Sequence, residues 1–286
     1  MLNRLRIRDR QRETDQGLEQ EKISAELLDR VQVNAPYRLL VDRYLDLFLH
    51  YGIHPEIGFD AAVLEEWDME AMTRVAHLLS EKGRRVTFHG PFMDLAPGGV
   101  DDRIREVSSL RLQRTMELVP LFHPGSVVFH AGYDDRRYHA HRQEWLASSV
   151  ATWGPIAEQA EEKGVEIHLE NVYERTPKMI LSLIEKISSD RIGFCLDVGH
   201  MQAFADAPLL EWLDTLGPYL KEVHLHDNHG QGDTHGPVGS GRVPFEELFQ
   251  YLSDKGIRPV LTLEPHEEAS LWSSLENLEK LWPWKD

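Results

Sequence analysis

Beyond about residue 30 the chain alternates between two hydrophobic rhythms. In short runs rich in β-branched and aromatic residues, apolar positions recur at every second residue; in longer runs they recur every third or fourth. The first rhythm is that of a half-buried strand and the second that of an amphipathic helix. The strand-like runs are RVQVNAPY, IHPEIGFD, RRVTFHGP, SVVFHAGY, VEIHLENV, RIGFCLDVGH, KEVHLHDN and PVLTLEPH. The helix-like runs that follow them are LLVDRYLDLFLHYG, MEAMTRVAHLLSEKG, REVSSLRLQRTMELVPLF, HRQEWLASSVATWGPIAEQAEEKG, PKMILSLIEKIS, PLLEWLDTLGP, PFEELFQYLSDKG and SLWSSLENLEKLW. Several of these close on Lys-Gly or Leu-Gly, a C-terminal capping signal, and others open on proline, which suits a first turn. Strand–helix units recurring at roughly 32 residues predict an α/β protein built as a single (β/α)8 TIM barrel. A doubly wound open sheet would carry a Gly-rich phosphate loop after its first strand, and VQVNAPYRLL has none. The expected organisation is a short charged N-terminal extension over residues 1–30 and a catalytic barrel over 31–286. The longest loops are expected after strands 3, 6 and 7, on the face where such barrels build their sites.

Polar residues interrupt the pattern where strands end. Strand 3 ends at His89, strand 4 at His130, strand 5 at Glu170 and strand 6 at Asp197, with His200 three residues on. Strand 7 ends at His224, its loop adds Asp233 and His235, and strand 8 ends at Glu264. Parity places them: Ile167 and Leu169, Phe194 and Leu196, Val223 and Leu225 point outward under helices, so Glu170, Asp197 and His224 point to the barrel axis. Converging carboxylates repel unless they are protonated or neutralised. Glu170, Asp197, Asp233 and Glu264, with His89, His130, His200, His224 and His235, therefore read as ligands for divalent metal. His226, Glu166 and His168 share the inward parity and are expected to orient ligands or touch substrate. His229, in a Gly-rich loop, and Arg242, near a βα loop, are candidate substrate contacts. His50, His54, His77, His123, His139 and His141 read as surface residues in helices or turns. His266 reads either as support for the site or as exposed, and Cys195 as small core packing.

Charge narrows the partners. With 48 acidic against 31 basic side chains the formal net charge is −17, which disfavours a phosphate backbone as partner. Duplex DNA is accordingly not the expected substrate; a small molecule is, and a monomer or homodimer would serve it. The alternating Arg4, Arg6, Arg8, Arg10 and Arg12 read as a solvated tail rather than a nucleic-acid arm. A single cysteine and an N-terminus without an apolar core fit a cytoplasmic protein, and no apolar run approaches the ~20 residues of a membrane span.

At FHGPF, VVFHAG, HLEN, DVGH, HLHDN, GDTHGPVGSG and LEP the chain resembles the xylose isomerase-like superfamily of TIM barrels. That superfamily includes sugar isomerases and epimerases, inosose dehydratase and endonuclease IV. The resemblance implies one of two ligand sets. The endonuclease IV type, with three zinc ions, matches His89, His130, Glu170, Asp197, His200, His224, Asp233, His235 and Glu264, with Glu170 bridging two ions. The isomerase type, with one ion, matches Glu170, Asp197, His224 and Glu264, leaving His200 for substrate. The chain departs from the DNA repair enzymes after His130, where HAGYD replaces their PGSH-containing stretch, and its strand 7 loop is short.

Two activities follow, with Glu170, Glu264 and His200 as the catalytic candidates. The first is hydrolysis of a small-molecule phosphodiester at a di- or trinuclear site, zinc being the expected metal and manganese, magnesium or cobalt the alternatives. NAPYRLL, EIGFDA, DLAPGG and HAGYD resemble the branch that cleaves the nucleotide-loop phosphodiester of corrinoids. Counting charge favours it: four carboxylates against three divalent ions leave a net positive site, which attracts a phosphodiester. The alternative is a one-metal sugar or sugar-phosphate isomerase or epimerase in which Glu170 and Glu264 move a proton. A non-catalytic metal- or ligand-binding barrel is the third reading.

Overall fold

Each strand-like run becomes a parallel strand because its outward side chains are apolar and a helix follows to cover them. In the computed structural model, which describes residues 23–66 and 68–284, the strands are β1 (Val31–Pro36), β2 (His54–Gly58), β3 (Thr87–His89), β4 (Ser126–His130), β5 (Glu166–Glu170), β6 (Ile192–Asp197), β7 (Leu220–Leu225) and β8 (Val260–Leu263). They pair in chain order, and β8 pairs with β1 to close the barrel. The alternation is as expected: Val127, Phe129, Ile167, Leu169, Leu196, Val223, Leu225, Leu261 and Leu263 are buried between sheet and helices. The arginine series of the N-terminus lies outside the described residues. Among these, no helix is long and apolar enough to cross a membrane. The helix Ala25–Arg30 leads directly into β1; Ser24 caps it and also donates its hydroxyl to Glu279, 3.1 Å away.

Three details differ from the pattern. The run expected to be one helix from Arg105 to Phe122 is two, Asp102–Glu117 and Val119–Phe122, because Pro120 has no N–H to continue the first. Where a loop is expected after β6, the chain winds at once into the helix Val198–Phe204, whose N-cap is Asp197. His54, expected at the surface, is buried as the first residue of β2: its Nδ1 accepts from the Arg85 N–H at 3.0 Å, and its Nε2 lies 3.3 Å from Asp29.

The glycine signals act through backbone conformation. Gly52, Gly164 and Gly256 end their helices with φ between 64° and 75°, in the left-handed region. At Gly164 an added Cβ would meet nothing within 4 Å, so only the backbone term remains. Gly164→Ala is expected to cost about 1 kcal/mol, read as a lowered denaturation midpoint with unchanged slope. A variant as stable as the parent would contradict that assignment. Leu216-Gly217 behaves differently: Gly217 stays right-handed at φ −51° and passes into the 3-10 turn Gly217–Tyr219.

The barrel's interior is polar below its C-terminal mouth. Glu222 on β7 accepts from Ser126 (3.1 Å) and Thr262 (2.9 Å) and faces His168 Nδ1 at 2.7 Å. Thr87 donates to Gln32 in the same interior. A buried carboxylate tolerates this place because each oxygen has partners. This layer is the floor on which the next turn of inward residues stands.

Candidate metal centre

Strand register sets inward residues of neighbouring strands opposite one another in pairs. His130 lies opposite Glu170, Asp197 opposite His224, and His89 opposite Gly58. Asn171 locks the ends of β5 and β6 together: its amide donates to Asp197 O and accepts from Asp197 N, both at 2.9 Å. Asp197 then accepts the His200 N–H at 2.6 Å, and the turn so formed swings His200 over the mouth.

Glu170 is the hub. Its Oε2 lies 3.0 Å from His89 Nε2 and 3.4 Å from His130 Nε2. Its Oε1 lies 3.2 Å from His200 Nδ1 and 3.6 Å from His224 Nδ1. Glu264 approaches the same His224 nitrogen at 3.1 Å, and Asp197 does so at 3.9 Å. From the β7 loop Asp233 reaches His200 Nε2 at 3.3 Å and His235 Nε2 at 3.0 Å. His226 joins this end, 3.0 Å from Asp197 and 3.4 Å from Asp233. Its ring stacks on His235 at 3.8 Å, and His266 stacks on the far face of His235 at 3.9 Å.

The side chains fall into sets whose ligand atoms lie within 4.8 Å of one another: His89, His130 and Glu170; Glu170, Asp197 and His224; His200, His226, Asp233 and His235. Both ring nitrogens of His224, His226 Nδ1 and Asp233 Oδ1 are buried without a hydrogen-bond partner. Buried polar atoms are costly to leave so. Carboxylate and imidazole atoms that face common points without bonding one another fit a divalent cation.

Electrostatics lead to the same fit. Burial disfavours the charge on Glu170, but the His130, His224 and His200 imidazoles outweigh it and hold the carboxyl well below its ordinary range. Glu264 and Asp233 are likewise lowered against burial, Glu264 chiefly by His224 and Asp233 by its bonds to His200 and His235. For His89 burial is overcome by the Glu170 bond and charge, which raise it to about 9. His130 is pushed down to about 4 by burial. With no cation bound the cluster is thus held together by imidazolium–carboxylate pairs, and a metal would take the place of protons.

All the residues expected as ligands meet at this mouth. The supporting candidates divide. His226 is in the cluster. His168 is one layer below, on the Glu222 floor. Glu166 has the right parity but the wrong end: it starts β5, is partly exposed, and pairs with His168 and Lys221 at the N-terminal face. His229 and Arg242 are exposed; the Arg242 backbone N–H bonds Asn228. Cys195 is buried, and burial pushes its thiol well up, as suits a packing residue.

Two interior carboxylates escape a reading of strand ends although parity marks both. Glu222 alternates with His224 in KEVHLHDN, and Glu56 sits mid-strand in IHPEIGFD. Glu56 is fully buried, 3.3 Å from His224 Nε2, on the side of the ring away from Glu264. Glu174 has no periodic signal: it is a buried loop carboxylate accepting from the Val172 and Tyr133 N–H groups, raised by burial to about 7.

Known proteins share this architecture. An uncharacterized protein of Methanocaldococcus jannaschii is 30% identical over 73% of this chain and 75% of its own length. Fructoselysine 3-epimerase of Escherichia coli O157:H7 is 26% identical over 57% of this chain and 61% of its own. Among solved structures, the TTHB071 protein of Thermus thermophilus, soaked with ZnCl2, superposes with a TM-score of 0.74 at 25% identity, covering 88% of this chain and 98% of that one. The family model described as a xylose isomerase-like TIM barrel matches residues 55–282, and with this fold and this mouth the chain belongs to that family.

Proposed function

We propose that the protein is a divalent-metal-dependent epimerase or isomerase of a sugar or sugar phosphate, with Glu170 and Glu264 as its acid–base pair. The observation that carries this reading is the placement of those two carboxylates. They come from β5 and from the end of β8, and they approach one nitrogen of His224 at 3.6 and 3.1 Å. Two carboxyl groups around one centre, one ionised and one protonated, can work on opposite faces of a bound ketose. The epimerase relative supports the same class of substrate.

Glu170, Asp197, His224 and Glu264 would hold the ion, which when bound polarises the substrate carbonyl. One carboxylate takes the proton from the carbon beside that carbonyl, and the C–H electron pair moves toward the carbonyl oxygen. The opposite carboxylate, in its protonated form, returns a proton to the other face. The two carboxylates end with exchanged protonation states, so atoms and charge balance. His200, above the mouth, would hold a substrate hydroxyl.

A second reading, hydrolysis of a small-molecule phosphodiester, is favoured by one observation. His89, His130, Asp233 and His235 stand in the cluster although a single ion has no need of them. With several ions the mouth becomes net positive and suits an anionic phosphorus centre.

Metal stoichiometry, with anomalous scattering to place each ion, separates the two. One ion on Glu170, Asp197, His224 and Glu264, with C3 proton exchange of ketoses in deuterated water, is the expected result. Two or three ions, with turnover of phosphodiesters and no exchange on any ketose, would overturn the epimerase reading.

A further inference from the structure

The β7 loop must bring Asp233 and His235 back over the barrel, yet residues 226–244 form no helix and only one bridge. A loop of this length needs internal ties to hold a ligand in place. Asp227 supplies them. It is fully buried, and its carboxylate accepts three backbone N–H groups: Asn228 at 2.8 Å and Val243 at 3.0 Å on Oδ1, and Gly241 at 2.7 Å on Oδ2. Its own backbone pairs with Gly236 in both directions, at 2.9 and 2.8 Å. The two ends of the loop are thereby drawn onto one side chain.

The neighbours of Asp227 complete the clamp. Asn228 donates to Gly199 O at 2.8 Å, tying the loop to the helix that carries His200, and accepts from Gly230 N at 2.9 Å. Gly241 approaches so closely that an added Cβ would stand 2.4 Å from Asn228 O and 2.5 Å from Asp227 Oδ1. His235, next to the paired Gly236, is held at φ 46°, in the left-handed region that few non-glycine residues adopt.

We propose that Asp227 is the positioning residue of the Asp233–His235 arm: it fixes the loop so that these side chains meet His200 and His226 as a cation site. The proposal rests on the second reading above, in which Asp233 and His235 hold an ion besides the one on Glu170, Asp197, His224 and Glu264. Asparagine at 227 would offer one acceptor oxygen and turn an amide toward a backbone N–H, where two donors oppose each other. Losing such a support weakens a metal site by roughly 10–100-fold.

The test uses the full chain and Zn2+ alone. Zn2+ is titrated into the parent, D227N, D227A and D233N, and backbone hydrogen exchange is measured at Gly241 and Val243 in each. The expected result is loss, or a drop of about 10–100-fold in affinity, of the same ion in D227N and D233N, with any remaining ions unchanged. D227N/D233N should lose no more than D233N. Exchange should be faster in D227N and D227A but not in D233N. A merely structural role would lower all affinities together, and that pattern, or parent affinity in D227N, overturns the proposal. If D233N binds as many ions as the parent with equal affinity, Asp233 holds none, and the positioning role falls with that reading. Exchange then still reports separately whether Asp227 ties the loop.

Discussion

Glu170→Gln is expected to strip the mouth of metal and abolish turnover. Both carboxylate oxygens are engaged, Oε2 by His89 and His130 and Oε1 by His200 and His224, so no oxygen is spare. The amide replaces one oxygen by a donor and removes the negative charge that raises His89 to about 9. A cation would then meet fewer anionic ligands, and the metal-free cluster would hold imidazolium groups with one carboxylate fewer. Removing one partner from a buried charge cluster costs roughly 3–5 kcal/mol, and losing an acid–base group costs roughly 10²–10⁴ in rate. Metal content, kcat and the denaturation midpoint are the measurements. A Glu170→Gln protein that kept its full metal complement and rate would remove Glu170 from the centre of this account.

Metal removal should have the second largest effect, and its sign depends on pH. Binding displaces protons from imidazoles, so affinity should weaken as pH falls, and calorimetry in buffers of different ionisation enthalpy should show proton release. His224, raised well above the ordinary imidazole value against the effect of burial, must lose its proton to serve as a ligand, and so must His89, raised to about 9, where several ions bind, so affinity rises with pH over that range. The metal-free protein follows the opposite trend over that range. A histidine raised from ~6.5 contributes stability that is complete below ~6.5 and lost as pH rises through the folded value, here about 9. Glu170, Glu264 and Asp233, all lowered, contribute above the ordinary carboxylate range and lose that contribution as pH falls through their depressed folded values. Chelation should therefore destabilise the protein more at pH 8 than at pH 6. At a hundredfold excess over Kd a bound ion is worth about 2.7 kcal/mol, which a thermal melt resolves. Equal melting with and without chelator at pH 8 would show that no ion is held.

The architecture is legible in the sequence because two periodicities are local. A strand alternates at every second residue and a helix repeats every third or fourth, and neither requires knowledge of distant partners. Parity also aims Glu170, Asp197 and His224 inward before any contact is known. The same rule marks Glu222 and Glu56, which lie inside their strands and so fall outside a reading of strand ends. Parity does not give height along the barrel. Glu166, His168 and Glu170 share one face of β5, yet only Glu170 reaches the mouth, and Glu166 opens at the opposite end. Height is set by register between strands, as in His130 opposite Glu170 and Asp197 opposite His224.

The sequence by itself determined the eightfold α/β plan and the kinds of atoms delivered to the barrel's mouth, because side-chain alternation and donor chemistry belong to each strand alone. Only the tertiary structure decided which donors share a point. Glu170 between four imidazoles, the arm carrying Asp233 and His235, and the Asp227 clamp join residues far apart in the chain. Such contacts depend on register, loop closure and burial, which are properties of the closed barrel as a whole.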